Sequence, residues 1–152
     1  LSKAQPKIAD YPFTTLHPIL GVASQFDKEI ILADIPGLIE GAHEGKGLGD
    51  KFLAHIERCK ILLHILDSSD PEWSQNYLTL KNELKKYGHE LIEKKEIVAL
   101  SKSDLSSDYI HVIQKELKKI TGEIPLVISS FSGQGLEELM QILFDKCDQN
   151  ND

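Results

Sequence analysis

The sequence predicts an α/β domain with a mostly parallel sheet and helices on both faces. From residue 29 onward, short apolar runs alternate with longer amphipathic segments, which is typical of a parallel sheet with covering helices. The apolar runs are almost continuously hydrophobic, as in strands buried on both faces. The predicted strands are residues 29–33, 61–66, 96–100 and 126–128, with residues 20–23 as an edge strand antiparallel to the next.

Three helices are predicted between and after these strands. In each, apolar residues recur at a spacing of three or four, which indicates one face turned to the core. Their role is packing, and no chemistry is assigned to them. The predicted stripes are Tyr77, Leu80, Leu84, Tyr87 and Leu91; Tyr109, Ile113, Leu117 and Ile120; and Leu136, Leu139, Met140 and Leu143.

Length, charge and cysteine usage limit the functional classes. The 152 residues suit one domain, predicted at 1–148 with a polar tail at 149–152. A net charge of -7 argues against a broad nucleic-acid or membrane surface, and direct DNA binding is not indicated. Cys59 and Cys147 have no disulfide or zinc spacing. With no signal peptide or membrane-length apolar run, the expected location is cytoplasmic.

The loops after the strands are the places to look for a ligand, because open parallel sheets bind ligands beyond their carboxyl strand ends. Asp34 follows the 29–33 strand, where a carboxylate can hold Mg²⁺ through water. Gly37 then lets a backbone N–H approach a terminal phosphate. An ordinary Pro-Gly turn is the alternative. Residues 37–49 hold half of the ten glycines, which suits a loop that changes shape with its ligand, or else a flexible linker.

A second polar segment, residues 101–104, follows the 96–100 strand. The Asp104 carboxylate can accept two hydrogen bonds from the N1–H and N2–H edge of guanine, and the Lys102 stem can lie along the base. The alternative is a polar turn in which Asp104 or Ser106 caps the next helix. Taken alone, this segment favours the turn.

Two further segments add weaker signals. Small residues at Ser129 and Ser130 can expose backbone N–H groups to a base carbonyl, although a simple strand-to-helix turn explains them equally well. Near the N-terminus, Thr14 and Thr15 can place a hydroxyl on a metal ion, the alternative being a loop that leads into the edge strand. The spacing from Thr15 to Asp34 suits a metal-binding loop, a hairpin and a metal-binding aspartate.

The order of FTT, DIPG, SKSD and SSF resembles the second to fifth guanine-nucleotide motifs of translation-factor-related GTPases. Residues 6–22 and 34–59 closely resemble the two switch regions of the bacterial Obg family. The resemblance implies a Ras-like P-loop GTPase domain that hydrolyses GTP to GDP and phosphate as a switch, with Mg²⁺ as cofactor. It also implies a monomer that associates with the large ribosomal subunit in its assembly or in the stress response.

The resemblance carries functional roles onto matching positions. Thr15 matches a direct Mg²⁺ ligand, Asp34 a ligand acting through water, and Gly37 the backbone N–H that senses the γ-phosphate. No catalytic residue is assigned, because Leu38 stands where many GTPases carry a glutamine. The predicted nucleotide-binding residues are Phe13, Thr14, Thr15, Leu16, His17, Asp34, Ile35, Pro36, Gly37, Ser101, Lys102, Ser103, Asp104, Ser129, Ser130 and Phe131.

The chain also departs from the family pattern. Ser101 stands where the family has asparagine, Ser130 replaces alanine, and Phe131 is bulkier than usual. The family's first strand and phosphate-binding loop would precede Leu1, so we expect this chain alone to bind and hydrolyse GTP poorly. The alternative is a fragment or regulatory module that keeps the switch surface but has lost nucleotide binding.

Overall fold

The computed structural model describes residues 7–8, 19–25, 27–34, 57–87, 93–105 and 108–148. Strands and helices alternate through the second half of this part, as the sequence predicted. No helix in it is long and apolar enough to cross a membrane. The elements are β1 (Lys7–Ile8), β2 (Ile19–Gln25), β3 (Lys28–Ala33), β4 (Ile61–Asp67), α1 (Trp73–Tyr87), β5 (Lys95–Ser101), α2 (Ile110–Thr121), β6 (Leu126–Val127) and α3 (Leu136–Asp148).

The first three strands form an antiparallel sheet in the order β1, β2, β3. The register of the β2–β3 hairpin pairs Leu20 with Ala33 and Gln25 with Lys28. Asp27, in the hairpin loop, takes a left-handed conformation with φ of 60°, which aspartate tolerates better than most residues. The predicted antiparallel pairing of residues 20–23 with the next strand is therefore confirmed. Their predicted edge position is wrong, because the two-residue strand β1, which the sequence pattern did not reveal, pairs with the other side of β2.

Strands β4, β5 and β6 form a parallel sheet in that order. The register pairs Ile61 with Lys95 at one end and Asp67 with Ser101 at the other. The carboxyl ends of β4 and β5 therefore lie level with each other, and the loops that leave them begin side by side. Within the described ranges no strand connects β3 to β4, so the two sheets are separate.

The core lies on both faces of β5. One cluster packs Leu100 against α1 and α2, and the other packs Ile97 and Ala99 against α3. Because neighbouring residues of a strand point to opposite faces, one apolar strand supplies both clusters. Ile30 and Leu32 of β3 also pack against the second cluster. The predicted arrangement of helices on both faces is confirmed.

Two packing predictions were wrong in part. Tyr109 and Ile120 are 71% and 47% exposed, and the buried stripe of α2 consists of Ile110, Ile113 and Leu117. Tyr109 is the residue that caps the helix, so it lies outside the packed turns. Strands β3 and β4 are also less buried than expected: Ile31 and Ile65 are 71% and 51% exposed, and neither belongs to a core cluster. Leu91 and the side chain of Tyr87 lie outside the described residues.

Candidate nucleotide-binding site

The loops that follow β5 and β6 are joined by backbone hydrogen bonds. The N–H of Ile128 donates to the carbonyl of Leu100 at 2.8 Å, and the N–H of Ser103 donates to the carbonyl of Ile128 at 3.2 Å. The Ser103 hydroxyl also donates to Oε1 of Gln134 at 3.0 Å. The two predicted base-side segments therefore lie together, as expected from the carboxyl ends of neighbouring parallel strands.

The Asp104 carboxylate is exposed but held from one side. The hydroxyl of Ser129, which is fully buried, donates to Oδ1 of Asp104 at 2.5 Å. That hydroxyl in turn accepts the N–H of Ser132 at 3.1 Å. A carboxylate has about four acceptor positions, so this contact leaves room for a bidentate ligand.

The structure excludes the alternative role predicted for Asp104. Helix α2 is capped by Tyr109, and no side chain makes a capping hydrogen bond there. Asp104 lies five residues before that position, outside the range of an N-cap. Ser106, the other candidate cap, lies outside the described residues.

The turn after β6 depends on a glycine that the sequence analysis did not assign to the site. Ser129 donates its N–H to Gln134 and accepts the N–H of Gly133, which folds residues 129–134 into a compact turn. Gly135 follows with φ of 69°, and a Cβ atom there would lie 2.1 Å from the carbonyl oxygen of Val127. Only glycine fits such a position without movement of the backbone.

Lys102 makes an ion pair with a residue that the sequence analysis missed. Its ammonium lies 2.6 Å from Oδ2 of Asp67, the last residue of β4. Oδ1 of Asp67 accepts the N–H and hydroxyl of Ser69 at 2.9 and 2.6 Å. The Lys102 hydrogen bond, and then those of Ser69, lower the pKa of Asp67, and the pairing raises the pKa of Lys102. An acidic residue directly after an apolar run, as at Asp34, was the signal available.

Ser101 ties the base-side loop to the end of β4. Its hydroxyl donates to the carbonyl of Leu66 at 2.9 Å, and its own carbonyl accepts the N–H and the hydroxyl of Ser68 at 3.1 and 2.6 Å. Ser68 is buried, so these bonds are largely shielded from water.

The phosphate-side residues are only partly described. Asp34 directly follows β3 and is exposed, and Ser130 and Phe131, which follow β6, are also exposed. The predicted residues Phe13, Thr14, Thr15, Leu16, His17, Ile35, Pro36 and Gly37 lie outside the described residues.

A magnesium ion suits Asp34 chemically. Magnesium usually takes one or two carboxylates together with waters and substrate phosphates, and an exposed carboxylate at a strand end can supply one of these. No group of three or more His, Cys, Asp and Glu side chains that could hold a metal occurs in the described part of the chain.

With this geometry established, comparison with known proteins decides the family. The model of the 50S ribosome-binding GTPase family matches residues 1–102 of the chain. The chain belongs to this family. Its fold is that of a Ras-like P-loop GTPase domain, as the motif order predicted. The match does not single out the Obg group within this class.

Solved structures show the same fold. The cytosolic domain of the FeoB iron transporter of T. maritima in its GMPPNP form has a TM-score of 0.70 at 24% identity, covering 93% of this chain and 54% of that one. The isolated G domain of the same transporter has a TM-score of 0.69 at 24% identity, covering 97% of this chain and 86% of that one. Era in complex with MgGDPNP and part of 16S ribosomal RNA has a TM-score of 0.62 at 22% identity, covering 85% of this chain and 44% of that one. This chain thus spans about half the length of the FeoB cytosolic domain.

Proposed function

We propose that this GTPase domain belongs to an Obg-type switch protein that hydrolyses GTP to GDP and phosphate in the cytoplasm, acting on the large ribosomal subunit during its assembly or in the stress response. The observation that carries the nucleotide part is the joining of the 101–104 and 129–131 segments at the carboxyl ends of β5 and β6. It supports a pocket for one planar base, with an acceptor on one side and backbone N–H groups on the other.

Guanine selection follows from the Asp104 carboxylate. Guanine presents two adjacent donors, N1–H and N2–H, to a group that only accepts, whereas adenine presents no such pair. The Ser129 hydrogen bond holds the carboxylate in one orientation before the base arrives, so less side-chain entropy is lost on binding. The Lys102 stem covers one face of the base, and Ser130 and Phe131 complete the rim. Ser103 is buried and supports the rim through its bonds to Ile128 and Gln134.

The phosphate end rests on the resemblance to the Obg switch regions. Asp34, through water, and Thr15 would hold Mg²⁺, with Gly37 as backbone donor to the γ-phosphate and residues 13–17 and 35–36 beside the nucleotide. When bound, Mg²⁺ neutralises charge that develops on the phosphates. The 37–49 loop, with its dense glycines, is the segment whose conformation would report the presence of the γ-phosphate.

The ribosomal role is supported by the family description, which names binding to the 50S subunit. Among the neighbours, Era was solved with ribosomal RNA, which shows that this fold accompanies RNA binding in that protein. The role is tested by co-sedimentation of this protein with separated large and small ribosomal subunits, once in the presence of a GTP analogue and once in the presence of GDP. Recovery with the large subunit only in the GTP-analogue form is expected, and recovery with the small subunit alone would contradict it.

Base selection is tested by the Asp104→Asn change. The amide keeps one acceptor and gains a donor, which matches xanthine, whose N2 amino group is replaced by a carbonyl. We therefore expect the affinity of the variant to fall for fluorescent GDP and to rise for XDP, each by roughly a hundredfold. Charged hydrogen bonds in such sites contribute about 1.5–3 kcal/mol each. Binding is measured with Mg²⁺ and excess ATP, on this chain and on a form preceded by a phosphate-binding loop.

Asp145→Asn on the exposed face of α3 is the matched control, because it makes the same chemical change away from the site. If GDP and XDP affinities are unmoved by Asp104→Asn, the base assignment is wrong. If neither form of the unmodified protein binds any guanine nucleotide, the module that has lost nucleotide binding becomes the better description.

A further inference from the structure

The ends of β4 and β5 are joined by more polar contacts than a parallel strand pair requires. We call residues 66–69 with residues 101–102 the β4–β5 junction. Within it, Ser101 donates to Leu66, Ser68 donates twice to Ser101, and Lys102 pairs with Asp67. The junction is continuous with the loop that carries Asp104, so its geometry sets where that loop begins.

Lys102 has an unfavourable backbone conformation. Its φ of 57° is left-handed, a region that residues with a Cβ atom rarely occupy, and Asp27 is the other such residue in the described ranges. A strained residue of this kind persists only where its surroundings determine it. The N–H of Leu105 donates to the Lys102 carbonyl at 2.9 Å, and the ion pair with Asp67 holds the other end of the residue.

Both oxygens of Asp67 are occupied, which fixes the direction of its charge. Ser69 donates its N–H and its hydroxyl to Oδ1, and Lys102 approaches Oδ2. The Asp67 and Lys102 side chains are 35% and 54% exposed. Ion pairs with that much exposure contribute little to stability, so the value of this one lies in orientation.

We propose that Asp67 is a positioning residue of the nucleotide site, holding the Lys102 side chain in place before the base arrives. This inference rests on the proposed function, since Lys102 is there the group that covers the base. Asp67 acts through Lys102 and does not touch the base. By fixing a long, flexible side chain in advance, Asp67 removes part of the entropy that nucleotide binding would otherwise lose.

The first test is a double-mutant cycle on GDP binding. Asp67→Ala should raise the Kd for GDP by roughly tenfold, because the lysine must then be ordered at the binding step. In the Lys102→Ala background the same change should have no further effect. Asp148→Ala is the matched control, since Asp148 forms a comparably exposed ion pair with Lys28 away from the site. Equal effects of Asp67→Ala in both backgrounds, or no effect in either, would overturn the proposal.

The second test needs no nucleotide. Backbone hydrogen exchange at residues 102–105 should accelerate by roughly tenfold in Asp67→Ala and stay unchanged in Asp148→Ala, because local opening controls exchange in loops. Isosteric Asp67→Asn, which keeps an acceptor for Lys102, should lie between them. Unchanged exchange in Asp67→Ala overturns the positioning role. If the unmodified protein binds no guanine nucleotide, the proposed function fails, while the exchange result still decides whether Asp67 orders this loop.

Discussion

Two lysine–carboxylate pairs of similar length lie in different surroundings on the same parallel sheet. Lys102 and Asp67 meet at 2.6 Å at the β4–β5 junction, with side chains 54% and 35% exposed. Lys81 of α1 and Glu96 of β5 meet at 2.8 Å, with side chains 29% and 15% exposed. The first pair lies beside a candidate ligand site, and the second lies within the fold.

The less exposed pair, Lys81 and Glu96, is part of a larger network, which we call the inner cluster: His64, Tyr77, Lys81 and Glu96. His64 Nδ1 lies 3.1 Å from Oε1 of Glu96, and the Tyr77 hydroxyl donates to Oε2 at 3.3 Å. The His64 and Tyr77 rings stack with centroids 5.1 Å apart. Burial alone would raise the pKa of Glu96, but hydrogen bonds from His64 and Lys81 outweigh it and lower that pKa. Burial, and then Glu96, raise the pKa of Tyr77.

The comparison shows that depth decides what a charged pair does. Removing one partner of a buried pair leaves the other with an unsatisfied charge, which destabilises the fold, whereas water replaces the lost partner of an exposed pair. The inner cluster should therefore affect stability and leave nucleotide binding unchanged. The β4–β5 junction should affect nucleotide binding and leave stability unchanged.

The largest effect is expected from Gly135→Ala, which alters the base-side turn and leaves the inner cluster intact. Its Cβ would meet the Val127 carbonyl at 2.1 Å, and its left-handed φ adds to the cost. We expect a loss of about 3 kcal/mol in the free energy of unfolding, measured by urea denaturation. Gly122→Ala is the control: Gly122 is also left-handed but has nothing within 4 Å of a Cβ, so about 1 kcal/mol is expected. Equal losses of unfolding free energy in the two variants would show that the backbone near Gly135 moves to relieve the clash.

Glu96→Gln should come next, with a loss of about 2 kcal/mol in the free energy of unfolding, because Lys81 then loses its charged partner in a partly buried position. Nucleotide affinity should not change. The control is Glu123→Gln, since Glu123 is 73% exposed and its pair with Lys146 is 3.7 Å long. A change in GDP affinity in Glu96→Gln with an unaltered unfolding curve would reverse the roles assigned to the two pairs.

A smaller loss of stability is expected when the pH is lowered. A carboxyl with a lowered pKa in the folded protein stabilises the fold above its unfolded-state pKa, and that stability is lost as pH falls through the folded value. For Glu96 the loss should therefore begin below the ordinary value of 4.5, whereas the exposed pair of Asp67 and Lys102 should contribute little to it. Unfolding free energies measured between about pH 7 and pH 3 should show it. The slope should be shallower in Glu96→Gln, and an unchanged slope would mean that Glu96 does not contribute.

The smallest effect on stability is expected from Lys102→Ala. The pair is exposed and the left-handed backbone strain is the same for alanine, so the Tm should equal that of the unmodified protein within error. GDP affinity should nevertheless fall. A clear decrease in Tm together with unchanged GDP affinity would show that the β4–β5 junction, like the inner cluster, has a structural role.

Much of the site was predictable because its signals are local. The Ser101–Asp104 and Ser129–Phe131 segments follow apolar runs, and the rule that ligands bind at carboxyl strand ends was sufficient to bring them together. Asp67 was missed although it also follows an apolar run, since nothing in its own segment indicates a partner 35 residues away. The inner cluster was missed for a similar reason: Glu96 and His64 lie on different strands, and only the register places them on one face.

Periodicity and spacing in the sequence determined the α/β class, the strands β2 to β6 and the pairing of β2 with β3, because those features depend on residues close together in the chain. The motif order resembled that of a GTPase, and the family match confirmed this class without singling out the Obg group. The tertiary structure decided which apolar residues are buried, as Tyr109 and Ile31 show, and whether Asp104 caps a helix or accepts from Ser129. It also decided the partner of Lys102. Each of these depends on contacts between distant residues, which strand register and helix packing create.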